Sequence, residues 1–345
     1  MARRALLLGC TLLLAACSRG GGKEARARLE ARDRARAPVP MDWSHPESAL
    51  LWDADEAARR LGSLEYSAQV TWSVSRAAPA AAAAPAPAPD AAQAPAPAPA
   101  AAPEPLRVRA TERHQVRQLA SGDFQALAEV DPGTWSGAES GREVVYAGGM
   151  TYARGRYAPF RERPTDRGRD ARRFRDESFR LAGEVAGLFG SLAYEPRGDG
   201  SLLGRPARRF GVRLAQAGGS ALPAPLAYAT AAEGDEDTRR RAQLLEERVP
   251  LAVEGELWLD AQSGVPLQVR LRGALGQKSD PRLRTEVDLT ARLTGWGDTV
   301  PSVAAPQGAL PDERKPRGVA RALEQAGLRK RGQAQEEEPE DEGAE

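Results

Sequence analysis

The chain has 345 residues, of which 28% are charged and 5% are aromatic. Its 49 Lys and Arg residues balance 48 Asp and Glu residues, and a formal charge of +1 argues against a nucleic-acid binder, which carries a strong basic excess. The two cysteines, Cys10 and Cys17, both lie near the N-terminus. The rest of the chain therefore has no thiol for a disulfide, and its stability must come from a hydrophobic core.

The first 17 residues have the composition of a targeting segment. Two arginines precede a short apolar run over residues 5–16, and the sequence Leu-Ala-Ala stands directly before Cys17. The run is shorter than the roughly 20 residues of a membrane-spanning helix. The pattern resembles a bacterial lipoprotein signal, which implies that residues 1–16 are removed and that Cys17 becomes the acylated N-terminus. An ordinary secretory signal or a short membrane anchor is the alternative interpretation.

Two further segments lack the pattern of a packed structure. Residues 17–48 carry many charges and few apolar side chains, so they are predicted to form a disordered tether, with a partner-binding arm as the alternative. Residues 77–105 are almost entirely Ala and Pro, and repeated proline opposes both helix and sheet. We interpret this second segment as a disordered insert within one domain, because strand-like sequence flanks it and long loops cost little free energy.

The folded domain is predicted over residues 49–308. It begins with a short amphipathic helix from about Leu50 that ends at Gly62. Apolar and polar side chains then alternate strictly over residues 66–75, which is typical of a half-buried antiparallel strand. One face of the predicted sheet is thus apolar and the other is charged. The same period of two returns over the segments 210–214, 251–259, 265–271 and 287–293.

The middle and the end of the chain carry shorter elements. A helix is predicted over about 170–190 from apolar residues at helical spacing. Residues 217–248 form a polar excursion that includes a short helix from Asp237 to Arg248, and residues 309–345 form a basic helix and an acidic disordered tail. Four strand candidates, with a tight turn at Gly148-Gly149 between the last two, cover residues 106–119, 123–131, 142–148 and 150–162.

The sequence marks no catalytic or metal site. The histidines, His45 and His114, do not lie at metal-ligand spacing, and no serine lies in a G-x-S-x-G motif. Gly198, Gly200 and Gly204 suggest a dinucleotide loop, but the last glycine is one residue late and the flanks do not open a helix, so we interpret the segment as a hairpin turn. We therefore predict no enzyme activity, no metal and no cofactor.

The most characteristic stretch of the domain is Gly255-Glu-Leu-Trp-Leu-Asp-Ala-Gln-Ser-Gly-Val-Pro-Leu267. A strand ends at Trp258-Leu259-Asp260, turns at Ser263-Gly264 and restarts at Val265. This stretch resembles the penultimate hairpin of the LolA/LolB and LppX type of envelope lipoprotein, and the segments 204–210 and 287–306 are compatible with that group. The resemblance covers about residues 49–306. It implies an α+β fold, in which a curved antiparallel sheet of about ten strands forms an open half-barrel and helices cover its concave apolar face.

The same resemblance implies that the concave face encloses an apolar cavity for acyl chains of lipids or lipoproteins. Combined with acylation at Cys17, this predicts a membrane-anchored envelope protein on the outer membrane, facing the periplasm. The alternative is a structural or interaction lipoprotein whose helices fill the same space. A binder leaves an apolar void of at least roughly 300 Å³, whereas a filled core has normal interior density. The residues predicted to line the cavity are Trp72, Val253, Leu257, Val269 and Leu289.

Overall fold

The structure is a computed structural model that describes residues 38, 40–77, 106–134, 137–164, 166–215 and 245–312. Several predictions fall outside these described residues: the signal, the acylated Cys17, most of the tether, the Ala/Pro insert, most of the polar excursion and the tail. No helix formed by the described residues is both long enough and apolar enough to cross a membrane.

The described residues form eleven strands in a single antiparallel sheet. The strands are β1 (Leu64–Arg76), β2 (Leu106–Gln118), β3 (Phe124–Asp131), β4 (Ser140–Ala147), β5 (Met150–Gly155), β6 (Arg161–Glu162), β7 (Leu192–Leu202), β8 (Arg205–Leu214), β9 (Arg248–Asp260), β10 (Pro266–Gln277) and β11 (Leu283–Trp296). Neighbouring strands follow the order β6-β5-β4-β3-β2-β1-β11-β10-β9-β8-β7, so the sheet is open and its two halves join where β1 pairs with β11. The predicted α+β class with an open antiparallel sheet is confirmed.

The central strands form where the sequence alternates most strictly. Buried and exposed residues alternate along β11 from Leu283 to Gly295 with almost no interruption. Strand β1 pairs along its whole length with β2, from Leu64 opposite Gln118 to Arg76 opposite Leu106. Because successive side chains of a strand point to opposite faces, this pairing collects the apolar side chains of several strands on one face of the sheet.

Three α-helices lie in the described part of the chain: α1 (Ala54–Leu61), α2 (Arg169–Phe179) and α3 (Leu181–Gly187). The Asp53 carboxylate accepts the Glu56 amide at 2.7 Å and caps α1, and Gly62 ends this helix at a φ of 84°. A single helix over 170–190 is wrong, because the helical geometry breaks at Arg180. The break lets α3 approach the 3-10 helix Pro46–Leu51 so closely that a Cβ at Gly183 would overlap the Leu50 carbonyl.

The segment 40–48, predicted to belong to the tether, lies on the domain instead. Trp43 packs against the core, and the Arg208 guanidinium lies 4.0 Å from the centre of its ring. Met41 lies against Gly264, and Pro46 is buried. A few large apolar side chains thus hold a polar segment in place, because each aromatic ring buries much surface and accepts a cation over its face.

The turns predicted at glycines are found in the structure, although one predicted turn segment and one predicted strand have different bounds. The turns predicted at Gly148-Gly149 and Ser263-Gly264 are confirmed, and Gly148, Gly149 and Gly264 all have positive φ. The hairpin turn predicted in the segment 198–204 is present at the end of that segment, while Gly198 and Gly200 lie within β7 beside a register shift. The chain reverses at Leu203-Gly204, where φ is 56° and 74°. Likewise the candidate 150–162 divides into β5 and β6, and Arg248 begins β9 rather than ending a helix.

Candidate functional site

The strand register places the five predicted lining residues on one face, in three adjacent cross-strand rows. Trp72 and Val253 lie in one row, which they share with Val287 and Gly273. Leu289 lies in the next row. Val269 and Leu257 pair directly with each other in the third.

The helices cover this apolar face. The rings of Tyr66 on β1 and Phe179 on α2 have centroids 4.8 Å apart. Phe189, just after α3, lies on β10 so closely that a Cβ at Gly273 would overlap its ring. Helix α2 contacts β2, β3 and β4, while α3 contacts β11. The predicted position of the helices over the apolar face is therefore observed.

Part of the face is a tightly packed core. Leu257 and Leu289 have no accessible surface, and Val269 has 2%. Residues with no accessible surface do not border even a water-sized space. A ligand would reach these three side chains only if the helices moved away from the sheet.

Another part of the same face is not fully covered. Trp72 on β1, Val108 on β2 and Ala128 and Val130 on β3 are apolar-face residues that remain half-buried. Ala128 pairs with His114, and Val130 pairs with Glu112. We call this region, namely Trp72, Val108, Ala128 and Val130 with Glu112 and His114, the open half of the apolar face.

A buried, hydrogen-bonded pair of His114 and Glu112 lies within the open half. His114 and Glu112 have 7% and 6% exposure, and His114 Nε2 lies 2.8 Å from Glu112 Oε1. Neither residue was predicted from the sequence to be part of a functional site. The sequence did indicate which face they occupy. Glu112 and His114 lie at the same alternate positions of β2 as Val108, Ala110 and Val116, which the period of two assigns to the apolar face.

Several polar atoms on this side of the sheet are buried without a hydrogen bond inside the described part of the chain: Trp72 Nε1, His114 Nδ1 and Ser178 Oγ on α2. The Tyr66 hydroxyl lies near the Ala182 amide, but its geometry is not that of a hydrogen bond. Burial raises the pKa of this hydroxyl, so it remains protonated. A buried polar group without a partner is unfavourable, so each of these atoms calls for a partner such as water or a ligand.

Glu184 on α3 adds a carboxylate close to the pair. Burial raises the pKa of Glu184, and so does the negative charge of Glu177, while the cation Arg180 acts in the opposite direction. Glu184 keeps exposed surface even though helix and sheet crowd its carboxyl. The basic side chain Arg142, on the same face at β4, lies with its guanidinium 4.8 Å from the centre of the Phe174 ring.

Two other grooves on the surface are lined by several charged side chains. One of about 640 Å³ lies on the polar face and is lined by paired charges, among them Arg272 and Asp288 at 3.0 Å. Another of about 570 Å³ lies at the end of β1 and is rich in arginine, including Arg76 and Arg107. The first groove is lined mainly by polar groups, whereas the second also contains Val249, Leu251 and Leu283. The described ranges hold no group of three or more His, Cys, Asp or Glu residues that could bind a metal ion.

No protein-family model matches the chain, and no curated protein matches it. Two similar solved structures are mycobacterial lipoproteins. LprF from Mycobacterium bovis is 14% identical, with a TM-score of 0.27, and the alignment covers 78% of this chain and 100% of that one. LppX from Mycobacterium tuberculosis is 9% identical, with a TM-score of 0.29, covering 76% of this chain and 100% of that one. These scores are low, so the function proposed below rests on this chain's own residues.

Proposed function

We propose that the protein is a membrane-anchored lipoprotein of the cell envelope that binds acyl chains of a lipid or a lipoprotein on the open half. The observation that carries the proposal is the incomplete cover over Trp72, Val108, Ala128 and Val130, beside a part of the same face that is fully packed. An acyl chain that covers these side chains removes apolar surface from water, which is the main favourable term in binding hydrocarbon.

The position of the open half supports a chain-like ligand. Its residues lie on three adjacent strands, and Leu289, Val269 and Leu257 continue the same apolar face beneath the helices. Trp72, Val287, Gly273 and Val253 form one row across the sheet, but Val287 and Val253 are buried and the Phe189 ring lies on Gly273. A hydrocarbon that covers Trp72 would therefore extend along this row only if Phe189 moved aside.

Membrane attachment belongs to the same proposal. The Leu-Ala-Ala-Cys17 pattern supports acylation at Cys17 and an envelope location, and Ser18 after it favours outer-membrane delivery with the domain facing the periplasm. Stable anchoring takes two signals, such as two acyl chains or one chain with a basic segment.

The second candidate is a structural or interaction lipoprotein without a ligand. The complete burial of Leu257 and Leu289 favours it, because that part of the face already has the density of a normal core. The two functions predict different results when an acyl chain is added: a lipid binder holds the chain on the open half, whereas a structural lipoprotein does not bind it.

The test is titration of the mature chain, carrying Cys17→Ser so that it needs no detergent, with a fluorescent fatty acid. Saturable binding is expected for the parent chain. Val130→Asn places a polar group in the open half and should weaken binding about tenfold or more. Leu127→Asn is the matched control, because Leu127 is also half-buried on β3 but lies on the opposite face. A parent chain that unfolds cooperatively but binds no acyl probe would establish the second candidate.

A further inference from the structure

Four of the chain's six tryptophans gather at one end of the sheet, around the turn 261–265. The Trp52 ring lies against Gly264 of this turn. Trp258 is two residues before the end of β9, and Trp296 is the last residue of β11. Because these strands are antiparallel to their neighbours, β9 and β11 end where β10 and β1 begin. The fourth is Trp43, two residues after Met41, which also lies against Gly264.

Each of these four indole rings is half-buried against the core and has a guanidinium over its face. The pairs are Arg60 over Trp52, Arg208 over Trp43, Arg209 over Trp258 and Arg205 over Trp296, with the guanidinium 3.9, 4.0, 4.5 and 5.9 Å from the ring centre. An indole has an apolar body and a polar edge, and for that reason tryptophan is enriched where membrane meets water.

Two leucines at the same end of the sheet are exposed to solvent. Leu51, directly before Trp52, is 68% exposed, and Leu203, in the turn between β7 and β8, is 39% exposed. Arg205 follows Leu203 by two residues and binds Asp260, which places the two turns side by side. Large apolar side chains exposed next to half-buried aromatic rings indicate an interaction surface. We call this surface the turn patch, namely Leu51, Leu203, Trp43, Trp52, Trp258 and Trp296.

The N-terminal segment reaches the domain at the turn patch. Met41 lies on Gly264, so only residues 18–39 separate Cys17 from this end of the sheet. A random coil of that length spans about 26 Å on average. The opposite end of the sheet, where β9 begins at Arg248, is roughly 40 Å farther along the strands. An anchor at Cys17 therefore keeps the turn patch nearer to the bilayer than the opposite end.

Acidic and basic side chains are nearly balanced around the turn patch. The cations are Arg59, Arg60, Arg117, Arg205, Arg208 and Arg209, and the acidic residues are Asp42, Asp53, Glu56, Glu65, Glu256, Asp260 and Asp298. Contact of the patch with a bilayer must therefore come from its apolar and aromatic side chains rather than from net charge. Residues 18–39 differ, with seven basic and three acidic residues, and anionic lipids attract such a segment.

We propose that the turn patch docks on the phospholipid bilayer in which Cys17 is anchored, with Leu51 and Leu203 entering the interfacial layer and the four indoles lying at the level of the headgroups. The inference goes beyond the proposed function, from which it takes only the anchor at Cys17. Docking holds the sheet upright on the membrane, with the Arg248 end directed away from it.

The test uses the chain from residue 17 onwards, in which Cys17 is the single thiol. Coupling this thiol to a maleimide-bearing lipid in phosphatidylcholine vesicles anchors the protein without relying on acylation in cells. Phosphatidylcholine brominated in its acyl chains should then quench the tryptophan fluorescence of the parent. Leu51→Asp combined with Leu203→Asp should shift docking about tenfold or more towards the undocked state and reduce this quenching. Aspartate tolerates the positive φ of Leu203.

Leu251→Asp is the matched control, because Leu251 is 41% exposed but lies near the start of β9, at the opposite end of the sheet. It should leave the quenching unchanged. No quenching in the parent, or an equal loss in Leu251→Asp, would overturn the inference. A dimer of the uncoupled parent that the Leu51/Leu203 variant dissociates would assign the patch to a second copy and also overturn it.

A fatty-acid titration separates this inference from the proposed function. The Leu51/Leu203 variant should still bind the fluorescent fatty acid, because neither substitution lies on the open half. Failure of the parent to bind the fatty acid while its quenching persists would refute acyl binding and leave docking in place. Fatty-acid binding without quenching would refute docking alone.

Discussion

Arg205 and Asp260 form a bidentate ion pair that ties the start of β8 to the end of β9. Arg205 Nε and Nη2 donate to the two carboxylate oxygens of Asp260 at 2.7 and 3.0 Å. Asp260 has no accessible surface, and its Oδ2 also accepts the Ser263 amide at 2.7 Å. The hairpin motif in the sequence thus ends in a carboxylate that holds both its own turn and a neighbouring strand.

Asp260→Asn should therefore be strongly destabilising. The amide cannot accept both hydrogen bonds from Arg205, and it leaves a partly buried guanidinium without its counter-charge. We expect a loss of about 3 kcal/mol in the free energy of unfolding, measured with urea at neutral pH. The control is Asp288→Asn, which removes the partner of Arg272 at an exposed site and should cost less than about 1 kcal/mol. Similar losses at both sites would contradict the assignment.

The same carboxylate predicts a pH dependence. Burial alone would raise the pKa of Asp260, but hydrogen bonds from Arg205 and Ser263 outweigh it and hold the pKa below its ordinary value. A carboxyl with a lower pKa in the folded state stabilises the fold above its unfolded pKa and loses that contribution as the pH falls through the folded value. The contribution is thus complete at neutral pH and declines below about pH 4. The stability difference between Asp260→Asn and the parent should shrink when unfolding is measured at about pH 3, and a constant difference would contradict this account.

Arg175 joins α2 to α1 and to the sheet beneath. Its guanidinium donates to both carboxylate oxygens of Asp55 at 2.9 and 2.8 Å and to Gln118 at 2.7 Å, and it lies 4.7 Å from the centre of the Phe124 ring. Arg175→Lys keeps the positive charge but loses the planar guanidinium that binds both oxygens of Asp55. We therefore expect the free energy of unfolding, measured with a chemical denaturant, to fall by about 3 kcal/mol. Arg173→Lys on the exposed side of the same helix is the control and should leave the midpoint of chemical unfolding unchanged.

Gly273 is required by the Phe189 ring that rests on it. A Cβ at this position would overlap the ring and lie 2.9 Å from the Ala252 carbonyl oxygen. Gly273→Ala should destabilise the domain by about 1–3 kcal/mol through overpacking. Gly276→Ala on the same strand meets nothing nearer than 3.4 Å and serves as the control, with little expected change in midpoint of thermal unfolding. An unchanged midpoint in Gly273→Ala would show that Phe189 can move aside at little cost.

A further prediction concerns acylation at Cys17, which lies outside the folded domain. In cells supplied with a labelled fatty acid, the parent chain should acquire the label and partition into detergent. Cys17→Ser should lose both properties, because Cys17 carries the thiol in the Leu-Ala-Ala-Cys pattern. Cys10→Ser is the matched control and should leave labelling unchanged. Persistent labelling of Cys17→Ser would refute the lipoprotein signal.

The insert between β1 and β2 should be dispensable for stability. These strands remain paired up to Arg76 opposite Leu106, directly at both ends of the insert. Deleting residues 79–103 leaves four residues to connect the strands and should stabilise the domain by about 1–2 kcal/mol, because the loop to be closed is shorter. Calorimetry of the shortened chain checks this. Loss of a cooperative transition would show that the insert contributes to the fold.

The sequence alone determined where most strands lie and which of their side chains share a face. Alternation along 287–293 and the glycines at 148–149 and 264 predicted observed elements, because the pleat and the positive φ of a turn are local properties that each residue expresses with its neighbours. The hairpin motif at 255–267 also identified the turn that Asp260 holds.

Only the tertiary structure decided what lies over the apolar face. Leu257 and Trp72 have the same pattern in sequence, yet one is fully buried and the other is half-buried. Packing also broke the helix at Arg180 and placed Trp43 on the domain. These outcomes depend on contacts between segments far apart in the chain, and the period of a single segment carries no information about which segment covers it.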